Sequence, residues 1–281
     1  MRYGFVMPGG DAVDAASLAV QAEQAGWDGF FCYEPTWGVD AWVCLTAAAM
    51  RTSRIRLGTM LTPLPKRKPW EVASQAATLD RLSGGRVTLS VGLGAPEPRF
   101  WMFEDDPGRR VRAERLDEGL EMMALMYRGE AFEYSGRHYR AHRPEFMVPP
   151  PTRQQPRVPT WVVGMWPAPA SMRRVARWDG WLPNYRASDG AQGEPSPAAL
   201  AAGVAWLRDE RARDGMSMDG FDVVVEGSTE PGSAAVEEVG RWSEAGATWW
   251  LEANWMLPEA EVVPTCLARL AAGPPRVEGG L

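Results

Sequence analysis

The stretch Arg54–Gly94, RIRLGTMLTPLPKRKPWEVASQAATLDRLSGGRVTLSVGLG, reads as strand, loop, helix and strand, each boundary marked by its own chemistry. RIRLGTML alternates and then turns apolar, as a strand entering a core does. The loop TPLPKRK leads to Pro69, placed where the first turn of a helix tolerates a missing N–H. Val72, Ala76 and Leu79 recur at helical spacing, and Gly84-Gly85 supplies the left-handed stop. RVTLSVGLG is a second apolar strand. Strands joined through a helix of this length pair in parallel with a right-handed crossover, which predicts an α/β fold.

The same alternation continues in both directions. YGFVM, DGFFCY, TWVVG, GWLPN, FDVVVEG and TWWLE read as further strands. Between them lie helices opened by Asp11, Asp40, Ser196-Pro197, Pro231 and Pro258. A long helix presents Leu116, Leu120, Met123 and Tyr127 on one face and stops at Gly129. FEYSGRHYRA reads as a short excursion hairpin, and HRPEFMVPPPTRQQPRVP as a proline-rich surface connection. Eight parallel strands with intervening helices predict a (β/α)8 TIM barrel. No linker separates two cores, so residues 1–281 are expected to form one domain, with GPPRVEGGL as a frayed tail.

Composition narrows the function. At 281 residues the chain is close to the roughly 250 typical of such a barrel. A net charge of −6 argues against nucleic acid or an anionic membrane as partner. The start MRYGFVMPGG carries neither a signal peptide nor an apolar run long enough to span a bilayer. Cys32, Cys44 and Cys266 are scattered and odd in number, which suits buried thiols in a reducing compartment, so a cytoplasmic location is expected. His138 and His142 stand four apart in the hairpin region rather than on a helix, and no HExxH or CxxC accompanies them; no metal is expected.

RIRLGTMLTPLP followed by TLDRLSGGRVTLSVGLG resembles the luciferase-like family of flavin-dependent oxidoreductases. RAERLDEGLEMMALMYRGEAFEYSGRHYRA, PTWVVG, MRRVARWDGWLPN and GATWWLE are similar to later family segments and follow in family order. The resemblance implies a monooxygenase in which diffusible reduced FMN and oxygen act on a small apolar or aromatic molecule, with a flavin reductase as partner and a homodimer as assembly. Its alternatives are a coenzyme F420 (deazaflavin) enzyme that transfers hydride without oxygen, and a barrel that binds flavin without turnover.

In a barrel of this kind the active site lies at the C-terminal ends of the strands. That rule selects Met7, Tyr33-Glu34, Thr59-Met60, Gly92 to Glu97, Gly164 to Trp166, Asn184, Glu226 and Glu252. Of the three carboxylates among them, Glu34 or Glu252 is expected to handle protons, with Asn184 orienting substrate or a flavin carbonyl. Each carboxylate could equally cap a loop or pair with an arginine. The glycine-containing turn at Gly164, before a helix bearing Arg173 and Arg174, suits a phosphate as well as it suits an ordinary tight turn. The resemblance places the cofactor phosphate there, at Gly164, Met165 and Trp166, although Met165 replaces the family's second glycine. It places the flavin ring against Met7, Thr59, Met60, Gly92 and Gly94, and gives strand 3 a strained, sometimes cis, ending at Thr59-Met60. The family's histidine after strand 2 is missing; Tyr33-Glu34 stand near its place. Of fourteen tryptophans, Trp37, Trp101, Trp166 and Trp255 follow strand ends and are expected to line one substrate pocket.

Overall fold

The computed structural model describes residues 1–143, 148, 150–187, 189 and 191–276. Part of the proline-rich connection and the end of the expected frayed tail, Val277–Leu281, lie outside the described residues.

In chain order the strands are β1 (Arg2–Met7), β2 (Gly29–Cys32), β3 (Arg56–Thr59), β4 (Val87–Val91), a hairpin of β5 (Tyr134–Ser135) and β6 (Arg140–Ala141), β7 (Thr160–Trp166), β8 (Gly180–Tyr185), β9 (Asp222–Gly227) and β10 (Trp249–Glu252). The helices are α1 (Ala12–Gln24), α2 (Ala41–Arg51), α3 (Pro69–Leu82), α4 (Arg109–Met126), α5 (Pro169–Ala176), α6 (Pro197–Arg213), α7 (Ser233–Glu244) and α8 (Glu259–Ala271). All strands but the hairpin close a parallel barrel in the order β1-β10-β9-β8-β7-β4-β3-β2. The fold is therefore the (β/α)8 barrel that the strand and helix periods predict, with the hairpin inserted between α4 and β7.

Local chemistry sets the boundaries. Asp11 accepts from the Val13 and Asp14 N–H groups while Asp14 bonds back to the Asp11 N–H, a capping box on α1. Asp40 caps α2 through the N–H groups of Trp42 and Val43, and the Ser196 side chain caps α6. α7 starts at Ser233, past Pro231, with Gly232 at its cap.

The barrel interior and the strand–helix layer form separate apolar clusters. Val6, Phe31, Met60, Trp161, Leu182, Val224, Trp249 and Leu251 fill the inside. Phe5, Met7, Phe30, Leu57, Val162, Val223 and Trp250 face the helices. Successive side chains of a strand point to opposite faces, so each strand has one set for each layer. Inside, the Phe31 and Trp161 rings lie 5.3 Å apart and those of Trp161 and Trp249 5.2 Å apart. Rings of that size fit only where neighbours are minimal. A Cβ on Gly58 would sit 2.2 Å from the Thr88 carbonyl oxygen and 3.0 Å from the Phe31 ring. The three thiols are buried and unpaired. Among the described residues no helix is long and apolar enough to cross a membrane.

Because the atom facing Gly58 is backbone, it cannot swing aside. Gly58→Ala is expected to destabilise the fold by about 2 kcal/mol or more, in the range of core overpacking. Urea denaturation measures it; a change within about 0.5 kcal/mol would show that β3 and β4 separate freely.

Candidate active site at the barrel mouth

A cavity of about 620 Å³ opens at the C-terminal end of the barrel, within the roughly 300–1,000 Å³ common for small-molecule sites. Its floor is apolar: Met60, Leu61, Leu93 and Val163. The Met60–Leu61 peptide is cis, one bond beyond the Thr59-Met60 pair to which the strained ending was assigned. A neighbouring space of about 380 Å³ shares Met60, Asn184, Gln192, Glu226 and Trp255 with it. Another of about 540 Å³ shares Glu34, Thr36, Pro63, Lys66 and Phe100. Together they form a stepped basin.

Strand alternation decides which predicted residues reach that basin. Met60, Gly92, Gly94, Met165, Asn184 and Glu34 line it. Trp255 lines it too, edge-on to Tyr33 with ring centres 5.9 Å apart. Trp37, largely exposed, and Trp101, buried, line the adjoining space instead. Trp101 donates its indole N–H to the Ala95 carbonyl at 2.8 Å and lies under the Lys66 ammonium, 4.6 Å from the ring centre.

Other expected positions face the helices. Met7 is buried in the strand–helix core, and Trp166 packs beside Trp206 at 6.3 Å, not over the basin. Gly164 meets α5: a Cβ there would lie 2.5 Å from Val175 and 2.7 Å from the Trp181 indole nitrogen. Its requirement is close helix packing. Thr59 is fully buried one step behind the wall, sharing a hydrogen bond of 2.9 Å with Thr62. Glu252 follows Leu251, which points inward, and so turns outward toward α8. There it accepts from the Thr229 N–H at 2.5 Å, the Thr229 hydroxyl at 2.7 Å and Arg269 Nη2 at 3.0 Å. These bonds tie α8 to β10, and Glu252 does not border the basin.

Of the three expected carboxylates, Glu34 and Glu226 border the cavity. Glu34 is buried, accepts the Thr62 hydroxyl at 2.5 Å and pairs with the Arg67 guanidinium. Burial raises its pKa above the usual glutamate value, and Arg67 and Thr62 hold it back. Glu226, on the inward face near the end of β9, is exposed to the cavity. Desolvation against the surrounding wall raises its pKa, and a hydrogen bond from Trp255 opposes the rise.

The rim nearest α4 and α5 is cationic. Lys66, Arg109, Arg112 and Arg174 all border the cavity. Arg112 reaches Asp106 at 3.3 Å and donates to the Gly94 carbonyl at 2.6 Å; Arg174 grips Asp117 at 2.5 and 2.7 Å. α5 begins without a side-chain cap, and the Met165 N–H donates to the Ser171 hydroxyl at 3.0 Å. Uncapped first-turn N–H groups beside cations suit an anion. Sequence reasoning missed Lys66, Arg109, Arg112 and Ser171; their only advance signal was proximity to strand ends. His138 bonds Glu114 at 2.8 Å in the hairpin region, away from the basin.

The raised pKa of Glu226 carries a stability consequence. The fold disfavours its ionised form, so its contribution is fully present below the ordinary glutamate pKa of 4.5 and is lost as pH rises through the higher folded value. Glu226→Gln removes that loss. The variant is expected to melt at a higher temperature than the parent at pH 7 to 8, with the gap closing toward pH 4.5. Thermal melts across that range check this; a gap independent of pH would place the effect elsewhere.

Over residues 4–252 the sequence matches the family described as luciferase-like monooxygenase. An uncharacterized protein of Mycobacterium tuberculosis is 34% identical over 192 residues, covering 66% of this chain and 62% of that protein, so the match spans under two thirds of the relative's length. A second uncharacterized M. tuberculosis protein is 31% identical over 300 residues, covering 97% of this chain and 98% of its own. Among solved structures, monooxygenase RslO1 from Streptomyces bottropensis superposes with a TM-score of 0.73 at 19% identity over 97% of this chain and 98% of its own. An F420-dependent secondary alcohol dehydrogenase in complex with an F420-acetone adduct does so at 0.72 and 17%, over 96% and 98%. At those identities the structural likeness is one of fold; the match over residues 4–252 is what shows that the chain belongs to the luciferase-like monooxygenase family.

Proposed function

We propose that the protein is a flavin-dependent oxidoreductase that uses diffusible reduced FMN and oxygen on a small apolar or aromatic organic substrate. One observation carries the reading: a single basin joins an apolar floor to a cationic rim at an uncapped helix start. A planar ring with an anionic tail needs both. Met60, Leu61, Gly92 and Val163 would face the ring. Ser171, Arg109, Arg174 and the first-turn N–H groups of α5 would hold the phosphate. When bound, the cofactor supplies the redox chemistry.

The protein's own work is then positioning, exclusion of water and proton handling. Asn184 presents an amide to a substrate or ring carbonyl. Glu34 is the proton-handling group: its carboxyl is buried at the wall and linked through Thr62 to Thr59. Its raised pKa moves it toward the range useful for general acid–base work. Reduced flavin would come from a separate reductase, and a homodimer is the proposed assembly.

A second reading, hydride transfer with coenzyme F420, is favoured by the breadth of the cationic rim. Lys66, Arg109, Arg112 and Arg174 offer more positive charge than one phosphate requires, which suits a longer anionic tail. Structural likeness to an F420-dependent dehydrogenase is compatible with it.

FMN and F420, oxidised and reduced, titrated against tryptophan emission separate the readings, because Trp255 borders the site. Tight binding of FMN alone supports the first and of F420 alone the second; binding of neither removes both. Ser171→Asp sets a negative charge against the tail and is expected to weaken the bound cofactor at least about tenfold, ~1.4 kcal/mol. Unchanged affinity would put the anion elsewhere.

A further inference from the structure

The carboxylates of the mouth are not equivalent. Glu34 has Arg67 beside it, and Glu252, on the outer face, has Arg269. Glu226 has no cation within ion-pair reach among the described residues, and no backbone N–H donates to it; the Trp255 indole alone approaches. Glu226 is exposed to the cavity, and a carboxylate there without a counter-charge is a vacant half of an ion pair.

Its surroundings state what the other half is. Tyr33 and Trp255 present aromatic rings to the same cavity, edge to face with each other. Asn184 and Gln192 also border it, joined by a 3.3 Å hydrogen bond from the Gln192 amide to the Asn184 oxygen, which leaves the Gln192 oxygen free to accept. Carboxylate, amide oxygens and ring faces together satisfy an organic ammonium: a charge partner, acceptors for its N–H groups and cation–π contact. Lys66, Arg109, Arg112 and Arg174 belong to segments following β3, β4 and β7, whereas Glu226 ends β9. The basin is thus polarised, and an anionic tail at one end leaves the other for a cation.

We propose that the Glu226 end of the basin receives the protonated nitrogen of the substrate, so that the substrate class is organic amines with an apolar or aromatic body. This rests on the reading of the basin as an oxidoreductase site, and it adds the recognition element that reading lacked.

The cofactor-free protein serves for the test, with benzylamine, benzyl alcohol and benzoate as probes by calorimetry at neutral pH. Benzylamine is expected to bind at least about tenfold more tightly than benzyl alcohol, and benzoate not at the Glu226 end. Glu226→Gln, isosteric and uncharged, is expected to abolish that preference. Equal affinity for amine and alcohol, absence of amine binding at millimolar concentration, or an amine preference that survives Glu226→Gln each overturns the proposal. The comparison of probes on the parent protein needs no variant, so a folding defect cannot mask the answer. Titrating the parent protein with FMN and F420 beside the probes separates the two readings. Loss of amine selectivity with FMN or F420 binding intact defeats this inference alone. Amine selectivity in a protein that binds neither cofactor defeats the oxidoreductase reading alone.

Discussion

A closed parallel barrel buries both faces of every strand, and the two-residue period of the strand shares its side chains between two separate cores. At the mouth this becomes a selection rule. β10 sends Trp249 and Leu251 inside, so Glu252 must face α8; β9 sends Val224 inside, so Glu226 two residues later must face the cavity. Two glutamates that end neighbouring strands therefore have opposite duties. One is saturated by Thr229 and Arg269 and ties a helix to the sheet. The other is left with an indole and an opening. The phase of each strand is held by the ring cluster of Phe31, Trp161 and Trp249, which fits only beside glycines such as Gly58.

The same rule explains what could be read before the structure was known. Order and type of elements were legible from Arg54–Gly94 outward, because helical spacing, capping aspartates and glycine stops are local signals. Family order of the later segments made the barrel specific. Strand phase was not legible. DVVVEG and TWWLE are apolar on both faces, as strands buried on both sides are, so neither shows which of its residues points inward. Strand-end position alone therefore admitted Met7, Thr59, Gly164, Trp166 and Glu252, which face the helices, alongside Met60, Met165, Asn184 and Glu226, which face the basin. Register supplies the missing bit: Gly4 pairs with Gly29 and Leu251, and that row propagates the phase around the sheet.

The cationic rim was hidden for a different reason. Arg109, Arg112 and Arg174 sit on helices whose charged residues read as solvated faces. Arg112 is nevertheless buried, and both Arg112 and Arg174 are held at fixed angles by Asp106 and Asp117. An arginine steered by a carboxylate keeps its remaining N–H groups aimed, which suits planar anions better than a free chain does. The pairing also dilutes the positive charge, so on the proposed reading the rim would recognise a tail by geometry as much as by net charge.

Polarisation of the basin then follows from where the barrel lets charge survive. At the α4–α5 side, arginines are stabilised by their aspartates and the helix start adds its own positive end. At the β9 side stands a carboxylate, Glu226, whose pKa desolvation raises. A ligand that fills the first region with an anion and the second with a cation removes both imbalances at once. An anionic tail alone leaves Glu226 without a counter-charge, and an ammonium alone leaves the helix start and Lys66 without an anion. On the proposed reading the two sites would be coupled through the field of the cavity, each occupant lowering the electrostatic penalty for the other. Coupling of that kind is reciprocal by linkage, so a cofactor tail that favours amine binding is itself held more tightly when the amine is present.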